Sequence, residues 1–168
     1  FLLRINSEKD YIKAIQFKTS GKYNEMISVL DKIDERIYTT DPNKMPIAFY
    51  KGTGHFQLKN FQKAYDNFSE ANRLMPFIAQ ISNNEAVSLI ALNKDEEAIK
   101  FFIEIKNCFP YYIEPQINLL ALYMKNKKYD EAEKLIPELE FKNDKHTKYA
   151  GNYQNFLLLK KEFSESNH

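Results

Sequence analysis

Apolar residues along this 168-residue chain recur with the period of a helix. In one stretch Phe61, Ala64, Tyr65, Phe68 and Ala71 fall at i, i+3, i+4, i+7 and i+10, which is one face of an amphipathic helix. The tripeptide Leu58–Asn60 reads as a short turn before it, and Pro76 closes it. Ala86, Leu89 and Ile90, then Leu120, Tyr123 and Met124, carry the same spacing. No segment alternates with period two for long enough to be a strand. The pattern predicts an all-α protein made of paired helices.

The pairs repeat. Ala64, Ala98 and Ala132 are 34 residues apart, as are Phe61, Asp95 and Tyr129, and Phe68, Phe102 and Ile136. Ala71, Ile105 and Leu139 keep the step, and so do Pro76 and Pro110. Tyr23, Met26, Leu30 and Ile33 join the series if the linker after the first copy is longer by four residues, around Tyr38–Pro46. A fixed step has a physical cause. One helix pair cannot bury its apolar face alone, and stacking on a neighbour with the same geometry buries it. The alanines mark close helix approaches, and the large aromatics fill the gaps. Repeats are expected at about 7–44, 45–78, 79–112 and 113–146, with a C-terminal helix at about 147–163, as one array over residues 1–168.

These residues resemble the tetratricopeptide repeat. That family has a 34-residue helix–turn–helix unit with a small residue at its eighth position, Ala at its twentieth, aromatics at its seventeenth and twenty-fourth, and Pro at its thirty-second. The second copy holds Gly52, Phe61, Ala64, Phe68 and Pro76 there, and the third holds Ala86, Asp95, Ala98, Phe102 and Pro110. The first copy holds Ala14, Tyr23, Met26 and Leu30. The fourth holds Leu120, Tyr129, Ala132, Ile136 and Asp144. Leu120, Asp95 and an in-helix Pro137 depart from the pattern and suggest local repacking or a kink. The resemblance implies a right-handed α-solenoid with a concave groove lined by the first helix of each repeat.

By the same resemblance, groove positions fall on Phe49, Tyr50, Thr53, Phe56 and Gln57, on Asn83, Asn84 and Val87, and on Asn118 and Met124. Asn84, Asn118 and Asn152 recur at steps of 34. An Asn amide both donates and accepts, so a row of them can pair with the backbone of an extended peptide. Simple solvation, or bonding to a neighbouring helix, is the alternative. Phe49, Tyr50 and Phe56 would form an aromatic patch in the groove or pack between helices. Relatives that grip the acidic C-terminus of chaperones carry Lys, Asn and Arg at set groove positions. Phe49, Thr53, Asn84, Glu114 and Asn118 stand there instead, so no basic pair holds a carboxylate.

Composition narrows the function. The 24 basic and 23 acidic residues nearly cancel, which gives no electrostatic case for nucleic acid. No apolar run reaches the roughly 20 residues that span a bilayer. Cys108 is the one cysteine, so neither an intramolecular disulfide nor a multi-cysteine metal site is expected, and cytoplasm and periplasm fit equally. His55, His146 and His168 show no metal-ligand spacing. Glu96–Glu97 and Glu131–Glu133 sit at helix starts, where the dipole favours negative charge. No cofactor and no catalysis are expected.

The expectation is a protein-interaction scaffold that takes a peptide or protein segment in its groove. A second reading makes the chain the soluble tail of a larger bacterial membrane protein, since its repeats look like those attached to polysaccharide-assembly proteins of the O-antigen ligase type. "FLLRI" at the front would then end an earlier helix or a membrane segment. At the other end Tyr153, Phe156, Leu157, Leu158 and Leu159 make an apolar stripe wider than a solvated cap needs, which suggests continuation of the array or self-association.

Overall fold

In the computed structural model, residues 2–145 and 150–166 are described, with side chains described for 4–140 and 155–166. Among the described residues the chain forms nine helices and no strand. These are α1 (Leu2–Thr19), α2 (Tyr23–Leu30), α3 (Ile47–Gln57), α4 (Phe61–Leu74), α5 (Ala79–Ala91), α6 (Asp95–Cys108), α7 (Glu114–Lys125), α8 (Tyr129–Lys145) and α9 (Ala150–Ser166). They group into two compact units, Phe1–Leu92 and Asn93–His168. The division falls in the turn between α5 and α6, inside the third predicted repeat.

The hairpins close in the same way each time. Lys59, Asn93 and Lys127, 34 residues apart, all have φ near +60°. Gly21 does the same after α1, with φ of 70°. The left-handed residue lets the next N–H turn back onto the helix it leaves: Asn60 N–H donates to His55 O at 2.9 Å, and Lys128 N–H to Tyr123 O at 2.8 Å. This is the Schellman closure, which satisfies carbonyls otherwise orphaned at a helix end.

The repeated small residues are interior. Ala64, Ala98 and Ala132 are fully buried, as are Ala14 and Ala86. In the first unit Met26, Leu30, Ile47, Phe68 and Ile81 pack around them. In the second, Phe102, Leu119, Leu120, Leu122, Leu139 and Phe156 are buried. The acid at position 95 has its own explanation. Asp95 accepts from Lys125 Nζ at 2.7 Å and from Asn126 Nδ2 at 3.1 Å, so an ion pair to the end of α7 stands where the other copies have a ring. That pairing also holds its carboxyl below the usual range.

Leu2–Asn6 are the first turns of α1. α8 runs through Pro137, which is exposed. α9 continues through Phe163 without a second-helix turn, and that ring packs edge-on against Tyr129 at 6.3 Å. Leu157 and Leu158 on α9 are exposed. His146 and His168 lie outside the described residues.

The insertion at residues 31–46 is anchored by one carboxylate. Asp41 is buried, and its Oδ2 accepts from the hydroxyls of Tyr50 (2.6 Å) and Tyr11 (2.9 Å). Its Oδ1 accepts from Met45 N–H at 2.8 Å. The loop is thereby tied to α1 and α3 together. Lys51 adds ion pairs to Asp31 (3.0 Å) and Glu35 (2.8 Å). Burial opposes ionisation of Asp41, but the Tyr50, Met45, Tyr11 and Asn43 donors outweigh it and hold the carboxyl below the usual range.

Two outcomes follow for stability. Lys59→Gly and Lys127→Gly remove a left-handed penalty of about 1–2 kcal/mol, offset in part by the looser unfolded chain; thermal unfolding should show each more stable by about 0.5–1 kcal/mol. Asp41→Asn should destabilise the chain by about 2–3 kcal/mol in urea at neutral pH, as expected for lost charge-assisted bonds. Because the folded carboxyl is depressed, its stabilisation is complete above the unfolded value of about 4. It is lost as pH falls through the folded value, so the gap between mutant and parent should close in acid.

Candidate functional site

The first unit holds a pocket of about 180 Å³ lined by Thr53, Phe56, Gln57, Phe68, Asn84 and Val87. Thr53, Phe56 and Gln57 come from α3, Phe68 from α4, and Asn84 and Val87 from α5. Thr53 and Phe56 are three apart, and Phe56 and Gln57 end the helix, so they present one edge of it. Asn84 and Val87 are likewise three apart on α5.

The walls are fixed from behind. The Phe56 ring meets Phe61 edge-on at 5.4 Å, and Phe68 is backed by Phe49 at 5.7 Å. Thr53 Oγ1 donates to Phe49 O at 2.9 Å. The facing helix is set by a buried polar network between α4 and α5, in which Asn72 Nδ2 donates to Glu85 Oε2 at 2.9 Å and Ser82 Oγ to Asn72 Oδ1 at 3.1 Å. Burial raises the Glu85 carboxyl above the usual range, partly offset by its bonds from Ser69 and Asn72.

Of the residues expected to face a groove, Thr53, Phe56, Asn84 and Val87 share this pocket. Phe49 and Tyr50 do not. They are 4% and 9% exposed and belong to the core. Phe49 packs on Phe68, and Tyr50 stacks edge-on with Tyr11 at 5.4 Å while its hydroxyl is spent on Asp41. Their aromatic patch is therefore interior, because the 31–46 insertion draws Tyr50 inward. Asn83, 8% exposed, is also buried. Asn118 and Met124 are half-buried on α7, in the second unit. The side chain of Asn152 lies outside the described residues.

Phe68 was legible as core but not as a pocket wall. The signal is Gly52, at the position opposite it on α3. A Cβ at Gly52 would lie 2.8 Å from Phe68 Cδ1 and 2.9 Å from Cε1. Glycine lets an edge of the ring pack directly on the α3 backbone, and Phe68, 2% exposed, forms the buried floor beneath the pocket.

No group of three His, Cys, Asp or Glu side chains among the described residues is arranged to hold a metal. No described helix is long and apolar enough to cross a membrane. In the second unit a cleft between α6, α7 and α8 is bridged by Lys106 and Glu138 at 2.8 Å, so it carries charge in its lining.

Comparison with solved structures places this helix arrangement. MamA aligns with a TM-score of 0.75 over 86% of this chain and 82% of its own, at 21% identity. A tetratricopeptide repeat protein from Parabacteroides merdae aligns at 0.76, over 96% and 62%, with 17% identity. The chain has the tetratricopeptide-repeat fold. The first such domain of Spaghetti (RPAP3), bound to the HSP90 peptide SRMEEVD, aligns at 0.61 over 73% of this chain and 94% of its own, with 20% identity. In sequence, the chain is 34% identical over 86 residues to the DnaJ homolog subfamily C member 7 homolog of Dictyostelium discoideum. That match takes in 49% of this repeat chain but spans 16% of the relative's length. No protein-family model matches the sequence.

Gly52→Ala tests the construction of the pocket. Alanine gains about 1 kcal/mol in helix propensity, whereas overpacking a core costs about 1–3 kcal/mol. The net outcome should be a lower unfolding midpoint in urea, with the Phe68 ring displaced in a crystal structure of the variant.

Proposed function

We propose that the chain is a non-catalytic protein-interaction module that takes an extended peptide segment against α3 and α5. The observation that carries this reading is the pocket itself: two aromatic walls, a valine, and three neutral polar side chains at one open mouth. Ligand sites have this make-up, mostly apolar with a few placed hydrogen-bonding groups. The pocket is pre-formed, since Phe61, Phe49 and the Glu85 network hold its walls in place, and that lowers the ordering cost of binding. The fold relatives are in keeping with it, because RPAP3 domains of this fold hold HSP90 and HSP70 peptides.

The 34-residue step continues across Leu92 and Asn93, which supports one array over residues 1–168. On that reading Asn118 and Met124 hold the corresponding positions in the fourth repeat. Asn84 is the residue placed to pair with a ligand backbone, through one donor and one acceptor on the same amide.

Panning the full chain against phage displaying random twelve-residue peptides should enrich binders. Their affinity, measured by calorimetry, should fall about tenfold in Asn84→Ala, the equivalent of about 1.4 kcal/mol. No enrichment, or affinities untouched by Asn84→Ala, would count against the reading.

A further inference from the structure

We infer that the pocket selects one uncharged apolar side chain, of leucine to phenylalanine size, from the interior of an extended peptide, and rejects acidic residues and chain ends. This rests on the peptide-binding reading above and adds what the site chooses.

Size sets the first limit. A cavity of about 150 Å³ lined by aliphatic and aromatic groups takes up benzene. At about 180 Å³ the pocket holds one such group and not two. Phe56 and Val87 offer the apolar surface that would cover it, above the buried ring of Phe68.

Charge sets the second. The six lining residues are Thr, Phe, Gln, Phe, Asn and Val, none of them ionisable. A carboxylate or ammonium entering among them would give up water with no opposite charge to replace it, and burial of an unpaired charge is strongly unfavourable.

The hydroxyl at the rim sets the third. Thr53 Oγ1 gives its proton to Phe49 O, so toward the pocket it offers lone pairs only. It can accept an N–H from a peptide backbone and cannot donate to a carboxylate. Asn84 and Gln57 supply N–H donors for the neighbouring carbonyls. The rim therefore answers both halves of an internal amide, whereas a terminal carboxylate would use the Asn84 and Gln57 donors and leave the Thr53 acceptor unmet.

Three small probes separate these features by NMR on the isotopically labelled full chain: N-acetyl-leucine N-methylamide, N-acetyl-glutamate N-methylamide, and N-acetyl-leucine with its carboxylate free. The leucine methylamide should shift the Val87 methyl and Asn84 side-chain amide signals and saturate in the millimolar range. The other two should bind at least tenfold more weakly. Thr53→Val, nearly the same shape without the acceptor, should weaken the leucine methylamide about threefold or more while leaving the fold unchanged by circular dichroism. Equal or tighter binding of either acidic probe overturns the inference, as does a leucine probe that leaves Val87 unshifted. If panned peptides bind while Val87 stays unshifted, the selection fails and the interaction reading stands. If neither peptides nor probes bind, both fail.

Discussion

Two helices share a core only where their backbones can come close, and at the crossing that requires a residue with almost no side chain. Ala64 in the first unit and Ala132 in the second meet this requirement at the same place in their hairpins, each with no exposed surface. The left-handed turn residue before each second helix fixes where the crossing falls. Together they set the register of the pair, and the register decides which side chains point inward. Phe68 is buried because the alanine four positions before it lets α3 and α4 close over it. Larger residues at the alanine positions would separate the pair and expose both faces, so the spacing is held by contact while exposed positions drift.

The candidate site uses the same constraint one step further. At the corresponding close approach on α3 the residue is Gly52, with even less bulk than alanine, and the space released is taken by an edge of Phe68. A core ring thereby underlies the pocket with no change in the fold. The polar bonds between α4 and α5 then orient α5, which brings Asn84 and Val87 opposite Thr53 and Phe56. The pocket is a product of packing, and its geometry is as stable as the core behind it.

The helices and their beat were legible because both arise from local periodicity and from a contact that recurs at a fixed interval. That Thr53, Phe56, Asn84 and Val87 line one pocket follows from the same step, since each keeps its place in the repeat. Phe49 and Tyr50 were misplaced because the contact that captures Tyr50 is neither local nor repeated. Asp41 lies in the insertion, outside the 34-residue step, and no periodic argument pairs it with Tyr11 and Tyr50. The ion pair that replaces an aromatic at Asp95 was hidden likewise, since its partners Lys125 and Asn126 lie 30 and 31 residues on. Single, non-repeating polar contacts are what a repeat pattern leaves unseen.

Those contacts also explain where the charge of the chain goes. Nearly equal numbers of acids and bases would serve any surface, but here several are committed to joining elements: Lys51 with Asp31 and Glu35, Lys125 with Asp95, Lys128 with Glu96, and Lys106 with Glu138. An ion pair that is half-exposed contributes little to stability on its own, yet it fixes an orientation and tolerates no like charge beside it. The pocket in the first unit is lined entirely by neutral groups. A charged side chain at its mouth would have attracted ligands of opposite sign over a distance of about 8 Å at physiological salt. On the proposed reading a neutral mouth forgoes that steering, and discrimination falls to fit and to the direction of a few hydrogen bonds. Selectivity of that kind reads shape and donor–acceptor order, which are the properties of a peptide's interior and not of its charged ends.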